Sequence, residues 1–220
     1  YKNVYPYTYN ANDYYYGGAL VSIADLAGTN FDWGVYNPIT NGGNTAGQWR
    51  TLSSAEWDYL IFARPGATSK VAKATIKDGS TTVATGIIIL PDEWDATQVS
   101  VTVKTGSNGT TGNSPYRTLK LNYTQTDWAY NTFTLADWAV LDQAGVVFLP
   151  AVGWHFTMGS TSYTSPEGHY YTSTSSHTYN SRRCGDVFDF LSPMNNAIRV
   201  YGSYSNYGSI RMSVRLVADK

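Results

Sequence analysis

Gly168-His169-Tyr170-Tyr171-Thr172-Ser173-Thr174-Ser175-Ser176-His177-Thr178-Tyr179, then Asp186-Val187-Phe188-Asp189-Phe190, then Ile210-Arg211-Met212-Ser213-Val214-Arg215-Leu216: the chain is organised around these three runs. In the last, Ile210, Met212, Val214 and Leu216 alternate with Arg211, Ser213 and Arg215. A period of two places alternate side chains on opposite faces of a strand, so this run predicts a half-buried closing strand. Between the apolar anchors stand Tyr, Ser, Asn and Gly, a composition suited to an adaptable recognition surface. The tail thus reads as a scaffold holding a polar-aromatic face.

Working outward, 220 residues fit one large domain or two small ones. Folding at that length removes roughly 70% of the unfolded surface from water, so a sizeable core is expected. Net charge is −1 and only 14% of residues are charged, which leaves no basic field for a phosphate backbone and argues against nucleic acid. No run approaches the ~18 apolar residues of a membrane helix, so no transmembrane segment is expected. The first residue is Tyr1, as in a processed or trimmed chain. Cys184 is the single cysteine, so neither an internal disulfide nor a cysteine-based zinc cage can form. The 19 Tyr and 7 Trp, the low charge and the Gly/Ser/Thr/Asn-rich connections point to a β-rich or loop-rich exported protein.

Residues 1–29 form a Tyr-rich lead, with Tyr5, Tyr7 and Tyr9 alternating as in an edge strand and Ala19–Ala27 at helical spacing. Thr29–Gly34 reads as a turn with a buried aromatic, and Asn41–Asn44 as a loop. Ser53 and Glu56 have capping-box spacing, which predicts a helix carrying Trp57, Leu60 and Ile61 on one face until Pro65-Gly66 stops it. Val71–Thr85 predicts a hairpin around Asp78-Gly79. Gly86–Pro91 reads as a separate buried strand, Val99, Val101 and Val103 as another, and Gly106–Ser114 as a flexible loop. Thr134 and Asp137 repeat the capping box ahead of Trp138, with Gly145 after the helix and Val146–Pro150 as its strand. Capped helix, Trp and Leu-Pro strand are thus written twice. All seven Trp lie at or before position 154, which predicts that the large core aromatics belong to the first two thirds.

The resemblance to a family rests on an ordered set: Trp49-Arg50-Thr51-Leu52-Ser53-Ser54-Ala55-Glu56-Trp57-Asp58-Tyr59-Leu60, Ile89-Leu90-Pro91-Asp92-Glu93-Trp94, Val147-Phe148-Leu149-Pro150-Ala151-Val152-Gly153, Gly168-His169-Tyr170-Tyr171-Thr172-Ser173 and Ser213-Val214-Arg215-Leu216-Val217. With Asp32-Trp33-Gly34-Val35-Tyr36-Asn37, the set resembles the major-paralogous-domain family of exported gut Bacteroidetes proteins over roughly residues 30 to 217. That family is similar in fold to the C-type lectins and the formylglycine-generating enzymes. The resemblance implies a single α+β domain over 1–220 with a C-type-lectin-like fold: two helices packed on a small twisted antiparallel sheet, with long loops. It implies a secreted protein or surface lipoprotein, extracellular or on the outer cell surface, acting in adhesion or ligand binding. Some relatives are variable proteins of diversity-generating retroelements, whose C-terminal segment is varied to change specificity. The corresponding segment here is 168–210. Tyr170-Tyr171-Thr172-Ser173 departs from the usual Tyr-Trp-Ser-Ser, and the usual N-terminal strand is expected to be short or missing.

By the same resemblance, formylglycine-generating enzymes hold copper with two cysteines, a pair that Cys184 alone does not supply. His169 and His177 would need Asp186 or Asp189 to complete a metal site, and read instead as polar loop residues. No Gly-x-Ser-x-Gly pattern supports Ser/His/Asp catalysis. Asp92, Glu93 and Asp95 read as the surface end of a strand rather than a glycosidase pair. No cofactor is assigned; calcium stays open, because carboxylates with backbone carbonyls would suffice. Neither Glu-Pro-Asn nor Gln-Pro-Asp, the calcium-lectin signatures, is present.

The ligand-binding residues expected are Tyr171, Ser173, Ser175, His177, Tyr179, Asn180, Arg182, Arg183, Asn195, Asn196, Tyr204, Asn206 and Tyr207. Tyr offers large area at small entropic cost, and Arg can grip a carboxylate with two bonds. Tyr170 and Tyr201 are expected in the core. The functional expectation is a non-enzymatic surface module with a protein or glycan ligand. A carbohydrate-binding lectin or adhesin comes second, and a hydrolase third.

Overall fold

The computed structural model describes residues 27, 32, 45, 47–121, 130–156, 162–163, 167–179, 182–190, 197–202 and 210–218. The lead before Ala27, Asn41–Asn44, and Thr29–Gly34 apart from Asp32 lie outside them, so the strand, helix, loop and turn read there do too.

Both capping boxes form. Ser53 Oγ accepts from the Glu56 N–H at 3.2 Å, and the Glu56 carboxylate accepts from the Ser53 N–H at 2.8 Å. This starts helix α1 (Ser54–Asp58), which runs on as a π turn over Tyr59–Ala63 before Pro65 and the left-handed Gly66 end it. Thr134 Oγ1 accepts from the Asp137 N–H at 3.1 Å, and Asp137 accepts from the Thr134 N–H at 2.9 Å. Helix α2 (Leu135–Gln143) follows, and Gly145 closes it at φ +83°, a conformation that costs glycine little.

The first strands are β1 (Arg50–Thr51), β2 (Val71–Asp78), β3 (Thr81–Ile89), β4 (Ser107–Thr111), β5 (Thr118–Leu121), β6 (Thr132–Thr134) and β7 (Val147–Pro150). The tail adds β8 (Trp154–Phe156), β9 (Ser162–Tyr163), β10 (Gly168–Tyr171), β11 (His177–Tyr179), β12 (Arg182–Cys184), β13 (Asp186–Phe190), β14 (Ala197–Gly202), β15 (Ile210–Arg211), β16 (Ser213–Val214) and β17 (Leu216–Val217). One sheet is ordered β6-β2-β3-β7, and a second β16-β10-β13-β14-β5-β4. The trio β15-β8-β9 and the pairs β1-β17 and β11-β12 complete the described pairing. No described helix is long and apolar enough to cross a membrane.

The four-stranded sheet separates two cores. Ile87 and Leu149 face one, with Trp57 and Ile61 of the first helix and Leu119, Phe188, Phe190, Ile198 and Val200 of the six-stranded sheet. Ala72, Ala74 and Ile88 face the other, with Leu141 of α2. The molecule is α+β and layered: α2, the four-stranded sheet, a core holding α1, then the six-stranded sheet. Two helices and several sheets agree with the expected α+β class. The helices occupy different layers, and both large sheets contain a parallel pair, β2 with β6 and β10 with β16.

Local readings fare unevenly. The Asp78-Gly79 hairpin forms, but β3 continues through Gly86–Ile89, so the two strands read there are one. The two Leu-Pro strands are neighbours, with Ile87 opposite Leu149. Val99, Val101 and Val103 do pack on the second core, yet residues 91–106 form no strand, because this alternation comes from lying on a core without a partner strand. Gly106–Ser114 is not a plain loop: its Ser107–Thr111 portion is β4, made regular by pairing with β5. The closing run is not one strand either. Its pairs of residues join three different sheets, through β15, β16 and β17. The placement of core aromatics is also corrected, since Tyr170, Phe188 and Phe190 are buried while Trp49, Trp94, Trp138 and Trp154 are only partly so.

Candidate functional site

Strands β10, β13 and β14 build the site by alternation. Tyr170, Phe188 and Val200 share a register row facing the core. Trp57 stacks on Phe188 with ring centroids 4.1 Å apart, and the Tyr170 hydroxyl donates to the Pro150 carbonyl at 2.8 Å. Gly168 lies opposite Phe190, whose ring fills the space where a Cβ would stand.

The other face is polar. His169, Asp189 and Arg199 form one cross-strand row, and Tyr171, Val187 and Tyr201 the next. Arg199 donates from Nε and Nη2 to the two Asp189 oxygens at 3.0 and 2.6 Å. Its guanidinium sits 5.0 Å from the Tyr201 ring centroid. Burial pushes the Asp189 carboxyl up, against the lowering by Arg199. Asp189 in turn raises the guanidinium of Arg199. With both carboxylate oxygens bonded, the geometry holds the pair charged. Burial also raises the Tyr201 hydroxyl, and the Asp189 charge adds to it. His169 Nε2 lies 2.9 Å from Glu167 Oε2; a carboxylate can only accept, so Nε2 carries the hydrogen. Nδ1 is buried without a hydrogen-bond partner, and the Trp154 ring stands edge-on to the imidazole. His169 is therefore a buried strand residue rather than the loop residue expected.

One end of this sheet is clamped. Asp186 is 1% exposed and accepts from Ser54 Oγ at 3.0 Å, Ser176 N at 3.0 Å and Ser176 Oγ at 2.6 Å. The Thr172 N–H donates to the Asp186 carbonyl, and the Asp186 N–H to the Thr174 carbonyl. The Ser173 N–H reaches the Leu52 carbonyl, and the Ser54 N–H reaches Thr174 Oγ1. Both feet of the 172–186 excursion are thereby fixed to each other and to the start of α1. The β4–β5 turn meets the same end. Tyr116 Oη and Ser176 Oγ lie 3.3 Å apart, and Ser114 Oγ donates to Asp58 at 2.9 Å.

The expected binding residues divide accordingly. Tyr171 is half-buried on the polar face. Ser173 and Ser175 are 2% and 1% exposed, so they belong to the clamp beneath the surface rather than to a ligand face. His177, Tyr179, Arg182 and Arg183 come together in the β11–β12 hairpin, with Tyr179 opposite Arg182 and Thr178 opposite Arg183. Asn180, Asn195, Asn196, Tyr204, Asn206 and Tyr207 lie outside the described residues. The chain leaves for 203–209 from Gly202, which pairs with Asp186 at the hairpin foot. It leaves for 191–196 from Phe190, at the far end of β13. Sequence reasoning missed Glu167, Arg199 and Tyr116. The alternation Ile198-Arg199-Val200-Tyr201 could have revealed Arg199, whereas no local signal marks Tyr116.

No family model matches the chain, and neither a curated protein nor a solved structure matches it.

Proposed function

We propose that the chain is a non-enzymatic ligand-binding module of the extracellular space or outer cell surface, on a C-type-lectin-like scaffold. The β11–β12 hairpin forms its ligand face. One observation carries this reading: an excursion bearing His177, Tyr179, Arg182 and Arg183 stands on feet fixed by buried hydrogen bonds around Asp186. A rigid base lets exposed residues change without loss of fold and reduces the ordering cost of binding. Non-catalytic use is supported by the carboxylates. Asp186, Asp189 and Glu167 each bond to a neighbouring side chain. The family resemblance adds that 168–210 is the diversified segment of a retroelement variable protein.

The test replaces residues 178–183 by a Gly/Ser stretch of equal length. Parent and variant are then screened on a glycan array and on a panel of purified surface proteins. The parent should bind a probe that the variant loses at unchanged unfolding temperature. Binding that survives the replacement overturns the assignment of the face. At the source locus, a near-repeat of the 168–210 codons that differs only at adenines, beside a reverse transcriptase, is the expected mark of diversification; a locus without one removes that part.

A further inference from the structure

We infer that the outer face of α2 is a docking site for a basic amphipathic helix of another polypeptide. The site lies on the opposite side of the four-stranded sheet from the strands that carry the ligand hairpin. Six of the nine residues of α2 are apolar: Leu135, Ala136, Trp138, Ala139, Val140 and Leu141. Leu141 is buried in the second core, and Trp138 packs against it. The other four are exposed, Leu135 at 47% and Val140 at 37%. A surface helix ordinarily keeps its apolar residues on the stripe that meets the core and turns polar groups outward. Here the outward stripe is apolar as well. Leu135 with Ala139, and Ala136 with Val140, form two rows of residues four apart, the ridges against which a second helix packs.

Charge selects the occupant. On the helix itself Asp142 follows Leu135 by about two turns and Asp137 precedes Val140 by about one, so the two acids flank the apolar rows. The segment after β3 adds Glu93 and Asp95, both exposed. It borders the end of α2: the Pro91 ring lies 3.7 Å from where a Cβ of Gly145 would stand, and Trp94 and Trp138 pack on the same core. No lysine or arginine occurs in 91–103 or 134–153. Asp95 accepts from Thr97 and Asp137 from Thr134, neutral donors that leave both charges in place. Among the described residues, Asp92 is the acid of this group that is ion-paired, with Arg64 and Lys70. The last turn of α2 holds Asp142 and no base, although a helix C-terminus favours a cation. Lysines or arginines beside an apolar row of a partner helix would answer both needs. A second copy of this chain would set acid against acid, and an anionic lipid surface would be repelled.

The experiment measures fluorescence anisotropy of a labelled peptide with the whole chain. The peptide has about four helical turns, enough to span α2, with leucine on one face and lysine on the other. One control keeps the leucines and replaces lysine by glutamate. The other keeps the composition and scrambles the order. The leucine–lysine peptide should bind about tenfold more tightly than either control. Leu135→Ser with Val140→Ser, and separately Glu93→Lys with Asp142→Lys, should each weaken it by about tenfold or more at unchanged unfolding temperature. All four positions are exposed, and the second pair decides if the first fails to fold. Replacing 178–183 by a Gly/Ser stretch should leave the binding unchanged. No binding of the leucine–lysine peptide, or binding that both paired variants retain, overturns the inference. Equal binding of the scrambled peptide overturns the helical partner, and equal binding of the glutamate peptide overturns the basic one. Loss of binding on replacing 178–183 overturns the site on α2. A dimer in sedimentation equilibrium that Leu135→Ser with Val140→Ser dissolves overturns the foreign partner in favour of a second copy.

Discussion

Helices α1 and α2 begin with the same capping box, yet Trp57 behind the first is 1% exposed while Trp138 behind the second is partly open. Four residues fix where each helix starts; what lies on either side fixes how much each matters. Helix α1 lies between two sheets, and its Trp57 ring stacks on Phe188 of the far one. Helix α2 covers an outer face. Leu141 is its one buried residue, and Leu135 and Val140 are exposed.

The largest effect expected from this contrast is at the tryptophans. Trp57→Ala should cost about 3–5 kcal/mol in chemical denaturation, and Trp138→Ala about 1–2 kcal/mol. Equal losses would break the contrast. Next comes the polar face beyond Phe188. Asp189→Asn leaves Arg199 without its carboxylate and should cost about 3 kcal/mol, with Trp57 fluorescence in the native state unchanged. A smaller effect is expected at the caps themselves. Ser53→Ala and Thr134→Ala should each cost about 1 kcal/mol, because the same backbone donor, the N–H three residues on, loses its partner at either site. A cap loss much larger at one helix would mean that burial acts through the cap as well.

The smallest effect is in pH. Burial pushes the Glu56 carboxyl up, but Arg50 and the Ser53 N–H and hydroxyl outweigh it and hold Glu56 below its ordinary value. The Thr134 N–H and hydroxyl hold Asp137 down in the same way. A lowered folded value means stability present above the unfolded carboxylate range and lost as pH falls through the folded value. E56Q and D137N should therefore each flatten the acid limb of an unfolding-midpoint curve and leave the neutral plateau nearly level once the cap loss is subtracted.

The caps and the Asp78-Gly79 hairpin were legible because their signals span four residues and answer to their own backbone. Strand β4 was not. Ser107–Thr111 has glycine and small polar residues, and only its pairing with β5 makes it a strand. Val99–Val103 misled for the converse reason: alternation records which side meets the core, and it does so with or without a ladder. At the site, the hairpin around Arg182 and Arg183 could be foreseen as a polar stretch. The burial of Ser173 and Ser175 could not, since it depends on Asp186 being drawn to Ser54 across the sequence. Tyr116 reaches the site through a turn that lies well outside the tail.

The division of residues 210–217 among β15, β16 and β17 has a consequence for the order of assembly. Among the described residues, Arg50–Thr51 finds its partner strand in Leu216–Val217, and β10 its outer neighbour in Ser213–Val214. Closing so long a loop costs entropy before any contact returns it, and topologies dominated by such pairs fold slowly. During synthesis the first helix and the hairpin exist long before the residues that tie their layer to the others. A chain cut short of Leu216 would keep the clamp around Asp186 but lose the strand that pairs with Arg50–Thr51 ahead of the first helix.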